Sequence, residues 1–192
     1  MELTPRLLLT AYTQGMFPMA QEDGVYWYQP DPRTILPLDA FHISRSLQRV
    51  MKKRPYQIHV DTAFEAVMRY CAAPAPGREE TWISEDLIMA YTRLHQLGLA
   101  HSVEAWRDGK LVGGLYGVAL GGFFAGESMF SRETNASKIA LVHLVQHLNM
   151  RRFQLLDVQF MTNHLQRFGA VEISDAEYQQ KLHHALLVDT TF

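Results

Sequence analysis

Two periods of apolar residues alternate along this chain, one of about 3.6 residues and one of 2, and the switches between them mark its elements. Phe64, Val67, Met68 and Cys71 form a helical stripe. Just before it, Thr62-Ala63-Phe64-Glu65 has capping-box spacing, which predicts a helix from there to about Cys71. Leu47, Val50 and Met51 mark the inner face of a helix predicted over 44–54. Ser84, followed by Glu85 and Asp86, opens a helix that Gly98 stops. A mostly apolar helix is expected over 135–150. Thr162 is the expected cap of a short helix ended by Gly169, and Ser174-Asp175-Ala176-Glu177 has the spacing to cap a C-terminal one.

The strand signals fall between these helices. Residues 101–107 and 110–118 flank Asp108-Gly109, the signature of a β-hairpin, and 122–129 would extend it to a three-strand meander. Further strands are expected over 35–38, 56–60, 154–159 and 171–173, and a loop over 74–80. The fold class that follows is α+β (mixed α/β), layered around a central, mostly antiparallel sheet. Residues 1–34 differ: they are rich in turn formers and aromatics, and the two prolines of Pro30-Asp31-Pro32-Arg33 demand an extended or turning segment. They are read as a small N-terminal lobe around one helix over 4–15, followed by a catalytic domain over 35–192.

Composition limits the setting. At 192 residues with 47% hydrophobic content, the chain can bury a real core. No run reaches the ~20 uninterrupted apolar residues of a membrane span, and no signal-peptide layout opens the chain. Cys71 alone cannot form an internal disulfide, so a cytoplasmic protein without membrane contact is expected. Charge adds one feature. Between Asp39 and Asp61 there is no acid, while Arg45, Arg49, Lys52, Lys53 and Arg54 lie in that gap. Arg45, Arg49 and Lys52 or Lys53 share one face of the predicted helix. It reads either as a solvated face or as a phosphate-contacting patch.

The chemistry concentrates in two strands. The glycine-rich apolar run from Gly113 ends at Glu127, so a buried carboxylate with a raised pKa is expected there, or an ion pair with Lys138 or Arg132. Asp157 and Gln159 lie two residues apart on another strand and so share a face. Ser128 and Ser131 sit in no nucleophile elbow, and His143 and His147 lack a third metal ligand at a useful spacing, so no metal is expected. The glycines at 113, 114, 117, 121 and 122 fall in hairpin strands rather than at a strand-to-helix turn, which counts against a coenzyme A cradle. They are expected to thin one wall of a side-chain pocket.

These pieces also resemble a known family. Gly15-Met16-Phe17-Pro18, Pro30-Asp31-Pro32-Arg33, His42-Ile43-Ser44-Arg45-Ser46 and Thr81-Trp82-Ile83 match the leucyl/phenylalanyl-tRNA–protein transferases in order. So do Ala100-His101-Ser102-Val103-Glu104, the 111–119 and 126–131 strands, Asn135-Ala136-Ser137-Lys138 and Asp157-Val158-Gln159. The resemblance implies a domain similar to the GCN5-related N-acetyltransferases (GNAT-like) behind a small, shortened N-terminal lobe. It implies transfer of Leu or Phe, with Met as a further donor, from aminoacyl-tRNA to the N-terminal Arg or Lys of acceptor proteins. The product is a degradation signal, an N-degron. No cofactor is implied, and a monomer is assumed.

The resemblance also implies roles. Gln159 would accept a hydrogen bond from the attacking amine, Asp157 would orient Gln159 or offset developing positive charge, and Glu127 would lie near the donor's amino group and ribose. The aminoacyl side chain would lie among Trp82, Tyr91, Leu115, Phe124, Leu144, Leu148 and Leu156. Met19 stands where the family often has Trp, so the aromatic face for the terminal adenine would come from Tyr26, Trp27 or Tyr28. Arg45, Arg49, Lys52 and Lys53 would meet tRNA phosphates. Asp31 and Glu104 are among the acids available to an acceptor's basic side chain. Two rival readings stand beside this one, a non-catalytic tRNA-binding module and a GNAT-like N-acyltransferase with a different donor.

Overall fold

The computed structural model describes residues 3–74 and 80–192, so residues 75–79 of the expected 74–80 loop lie outside the described residues. After helix α1 (Pro5–Thr13), capped by Thr4, comes a hairpin that the sequence pattern did not predict, β1 (Phe17–Gln21) and β2 (Gly24–Tyr28). The main sheet follows. Its order is β4 (Gln57–Val60), β5 (Ala100–Arg107), β6 (Lys110–Leu120), β7 (Phe123–Ser131), β8 (Leu155–Gln159), β3 (Arg33–Ile35) and β9 (Val171–Ile173). Every pairing is antiparallel except β7 with β8. The mixed α/β class with a mostly antiparallel sheet is therefore as expected. The β5–β6 turn uses Asp108 and Gly109, both at positive φ (50° and 73°), as a two-residue hairpin requires.

The expected 35–38 strand is shifted. Arg33–Ile35 is the paired segment, wedged between β8 and β9. It stops at Leu36 because Pro37 has no N–H for the ladder.

Helices cover both faces. On one, α1, α3 (Phe64–Ala72), α4 (Glu85–Gln96) and α7 (Asp175–Leu186) share a core with Tyr116, Phe123 and Leu155. On the other, α2 (Arg45–Lys52), α5 (Ala136–Met150) and α6 (Asn163–Gln166) pack on Leu115, Phe124 and Leu156. No helix among the described residues is long and apolar enough to cross a membrane.

Two local expectations are corrected. Thr62 does not cap α3. The backbone N–H groups of Thr62 and Ala63 instead donate to Glu104 Oε1 at 2.9 and 2.8 Å, and the Thr62 hydroxyl donates to Glu104 Oε2. Ser102 and Trp106 also donate to that carboxylate, which is fully buried and so is closed to an acceptor peptide. A sheet residue does the capping, as an acid at a helix N-terminus can. The glycines of β6 do not thin a pocket wall either. A Cβ on Gly113 would lie 2.4 Å from Ala136 Cβ, so this glycine lets the start of α5 lie directly on the strand. Gly121, at φ 54°, and Gly122 lie in the β6–β7 turn rather than in a strand, packed on the end of α7.

Candidate active site

The parallel pairing of β7 and β8 runs from Phe123↔Leu155 to Ala125↔Asp157 and no further. Beyond it, β8 continues against β3 while β7 continues against β6. A cleft of about 520 Å³ is lined by the residues just past that point. Leu115, Leu141, Leu144, Leu156 and Val158 give it apolar walls, and Phe17, Met19, Trp82 and Phe160 add aromatic and thioether surface. Trp82 is tied to the N-terminal hairpin, since its carbonyl accepts from Ala20 N at 3.0 Å. Gly126 is the one glycine of the run that lines the cleft.

Of the side chains expected in the pocket, Trp82, Leu115, Leu144 and Leu156 line it. Phe124 does not; it is fully buried in the core that α5 covers. Leu148 lies one turn beyond Leu144 on α5, in the core rather than at the cleft. Tyr91 is fully buried behind Glu127.

Glu127 and Gln159 meet at the cleft. Glu127 is 9% exposed; Tyr12 Oη donates to its Oε1 at 2.7 Å, and Tyr91 Oη lies 3.5 Å from its Oε2. The two tyrosine hydroxyls also bond to each other. Gln159 Nε2 donates to Glu127 Oε1 at 3.4 Å. That orientation leaves Gln159 Oε1 with no donor among the described residues. Burial pushes Glu127 up to about 8; the Tyr12 hydroxyl opposes the rise and the Asp157 charge adds to it. Burial and then the Glu127 charge hold Tyr12 well above 10, so it stays a donor. No ion pair joins Glu127 to Lys138 or Arg132, and the Arg132 guanidinium lies 3.7 Å over the Tyr70 ring instead.

Asp157 is fully buried and does not line the cleft. Arg33 grips it with two bonds, Nε to Oδ1 at 2.9 Å and Nη2 to Oδ2 at 2.6 Å. Tyr178 Oη adds a third at 2.8 Å. Arg33 is itself 1% exposed, held by the Gly15 carbonyl and sandwiched near the rings of Phe17 and Tyr178. The link to the cleft is a backbone bond: Gln159 N donates to Asp157 Oδ1 at 2.9 Å. Arg33, Tyr12 and Tyr178 were not singled out from sequence. Arg33 opens β3 just after a proline turn and the tyrosines sit on helices, so only the fold reveals that they converge.

The other expected residues lie elsewhere. Tyr28 stacks on Phe17 with centroids 6.0 Å apart, and Trp27 packs against the same core; neither lines the cleft, whereas Met19 does. Arg45, Arg49, Lys52 and Lys53 are all exposed on or next to α2, whose inner face buries Leu47. Asp31 accepts from Asp175 N at 3.1 Å. Ser131 accepts from Ser137 N and donates to the Glu133 carbonyl, a helix-start role rather than a nucleophile's. Among the described residues no group of three or more His, Cys, Asp or Glu is placed to hold a metal ion.

Comparison with known proteins gives this arrangement a family. The model of the leucyl/phenylalanyl-tRNA protein transferase matches residues 35–183, and the model of that family's N-terminal domain matches 1–31. A leucyl/phenylalanyl-tRNA–protein transferase of Herpetosiphon aurantiacus is 55% identical over 99% of this chain and 98% of its own length. Those of Paramagnetospirillum magneticum (57%, covering 96% and 90%) and Rubrobacter xylanophilus (55%, covering 100% of both) are similarly close. Among solved structures, the chain is similar to L-PGS from Bacillus licheniformis, with TM-score 0.47 and 16% identity over 82% of this chain and 51% of that one. With both family models matched and relatives alike from end to end, the chain belongs to the leucyl/phenylalanyl-tRNA–protein transferase family.

Proposed function

We propose that this protein moves Leu or Phe from aminoacyl-tRNA to the N-terminal Arg or Lys of acceptor proteins, and that the product marks them for degradation. End-to-end likeness to transferases of that name supports the reading. The observation that carries it is the apolar cleft with a single amide oxygen, Gln159 Oε1, left unpaired beside it.

The chemistry needs little from the protein. The aminoacyl ester is already activated, so no ATP is consumed. The α-amine nitrogen of the acceptor attacks the ester carbonyl. The C–N bond forms, the bond to the ribose oxygen breaks, the amine gives up a proton and the ribose hydroxyl regains one. Gln159 Oε1 accepts a hydrogen bond from the attacking amine and aims its lone pair at the carbonyl. A free α-amine has a pKa of about 7.7–8.0, so a positioned acceptor suffices near neutral pH. Holding both substrates in attack geometry supplies much of the rate.

Glu127, Tyr12 and Tyr91 keep the Gln159 amide from turning over, because Nε2 is engaged and Oε1 is not. Asp157 acts one step further back, by holding the Gln159 backbone. Leu115, Leu144, Leu156 and Trp82 take the donor side chain. Side chains unbranched at Cβ enter such a slot, while polar ones lose their hydration without a partner. Arg45, Arg49, Lys52 and Lys53 draw in the tRNA by charge.

The test is direct. Labelled Leu or Phe on tRNA is mixed with the protein and a peptide beginning with Arg, without ATP. Label is expected in that peptide and not in one whose N-terminus is acetylated. No label from either amino acid, with an active relative working in parallel, rejects the reading and returns the protein to tRNA binding alone.

A further inference from the structure

Next to the cleft, and sharing His164 with it, lies a second cavity of about 360 Å³. His42, Ser44, Asn135, Lys138, His164 and Arg167 line it, and no acid does. Two helices, α2 of 8 residues and α5 of 15, start at its wall, and neither has an acid in its first turn. Each therefore turns the positive end of its dipole toward the space. Asn135 precedes α5 in a left-handed conformation, φ 67°, and its side chain makes no capping bond. Lys138 and Arg167 form no ion pair among the described residues, and their charges, after burial, push His164 down. His164 Nε2 is buried without a hydrogen-bond partner.

Two unpaired cations and two helix starts around one hollow that no acid lines lack only an anion. We propose that this cavity is a phosphodiester subsite for the single-stranded end of the donor tRNA, a proposal that rests on the function given above. With the aminoacyl ester in the cleft, the nucleotide chain leaves past His164, and its backbone phosphate meets Lys138 and Arg167. The Asn135-Ala136-Ser137-Lys138 segment thereby gains a function: it starts α5 at the phosphate and supplies one of its cations. The exposed charges of α2 steer the tRNA from outside, whereas this site fixes its end.

The experiment compares two donors, Leu-tRNA and phosphate-free Leu-adenosine, with wild type, Lys138→Ala, Arg167→Ala and Lys138→Arg, each checked by its melting temperature. Each alanine variant is expected to raise KM for Leu-tRNA about tenfold, the loss of one charge-assisted contact. The slope of log affinity against log salt should fall by about 0.7, as for one single-strand phosphate. Lys138→Arg should restore both, and Leu-adenosine should react unchanged throughout. Unaltered KM and salt slope for Leu-tRNA overturn the subsite. Equal loss with both donors also overturns it, since a displaced α5 would do that. If wild type transfers from neither donor, the functional reading itself has failed, and the subsite with it.

Discussion

Gln159 ends β8 in the left-handed region, at φ 61°, a conformation worth about 1–3 kcal/mol of strain for a residue with a side chain. On a regular strand it would point the same way as Asp157. The turn sends Gln159 to Glu127, while Asp157 stays with Arg33 and Tyr178. This separation is what the sequence pattern concealed. The i, i+2 spacing made the pair legible as a unit, but a positive φ in a non-glycine residue carries no mark in the sequence. Burial of Glu127 was legible from the apolar run before it; its tyrosine partners were not, because Tyr12 lies on a distant helix and Tyr91 was expected in the donor pocket rather than behind Glu127. The Glu127 carboxyl also makes a stability prediction. Its pKa rises from an ordinary 4.5 to about 8 on folding, so between those values the native state holds a proton that the unfolded chain has lost. That contribution to stability is full below about pH 4.5 and declines as pH rises toward 8. Glu127→Gln cannot ionise and escapes the decline. In urea unfolding the variant should gain on wild type as pH goes from 5 to 8, by up to about 1.4 kcal/mol per unit. A constant difference across that range would mean that Glu127 is not buried in this way.

The elements that position the site were legible where their signals were local. The β5–β6 hairpin announced itself in Asp108-Gly109, and Ser84, Thr162 and Ser174 each accept from the backbone N–H three residues on, as the spacing predicted. What escaped was set by partners far away in sequence. Glu104 caps α3 across 41 to 42 residues, and β3 lies where Arg33 reaches Asp157. The β1–β2 hairpin escaped because its turn residues and aromatics read as loop. The contact between β6 and α5 is the sharpest of these dependencies. Gly113→Ala would force a Cβ to within 2.4 Å of Ala136 Cβ and 2.9 Å of its backbone carbon. The start of α5 must then shift, at a cost of about 1–3 kcal/mol. A melting temperature lowered by several degrees is expected, with impaired transfer, because α5 bears Leu141 and Leu144 of the cleft wall. A melting temperature equal to wild type would show that the helix is not seated on the glycine.

Taken whole, the described residues form a mixed sheet with helices on both faces, and the proposed chemistry sits where the one parallel strand pair among them comes apart. The N-terminal segment is bound into this arrangement. Tyr12 reaches Glu127, Phe17 and Met19 line the cleft, and Arg33 anchors Asp157. The mostly antiparallel sheet was readable from periodicity and turn signals, and the family from the resemblance of its motifs. The parting of β7 from β8 was not, because it depends on which strand β8 meets on its other side. The central claim is that Gln159 serves the attacking amine while Asp157 only holds Gln159 in place. Single-turnover transfer from Leu-tRNA to an Arg-initiated peptide, measured beside tRNA affinity and urea stability, tests it most directly. Gln159→Ala should slow transfer at least about 100-fold, with tRNA affinity nearly unchanged and little loss of stability. Asp157→Ala should leave Arg33 buried and unpaired and cost about 3–5 kcal/mol. A Gln159→Ala protein that transfers at the wild-type rate, or that loses tRNA binding in step with turnover, would contradict the account.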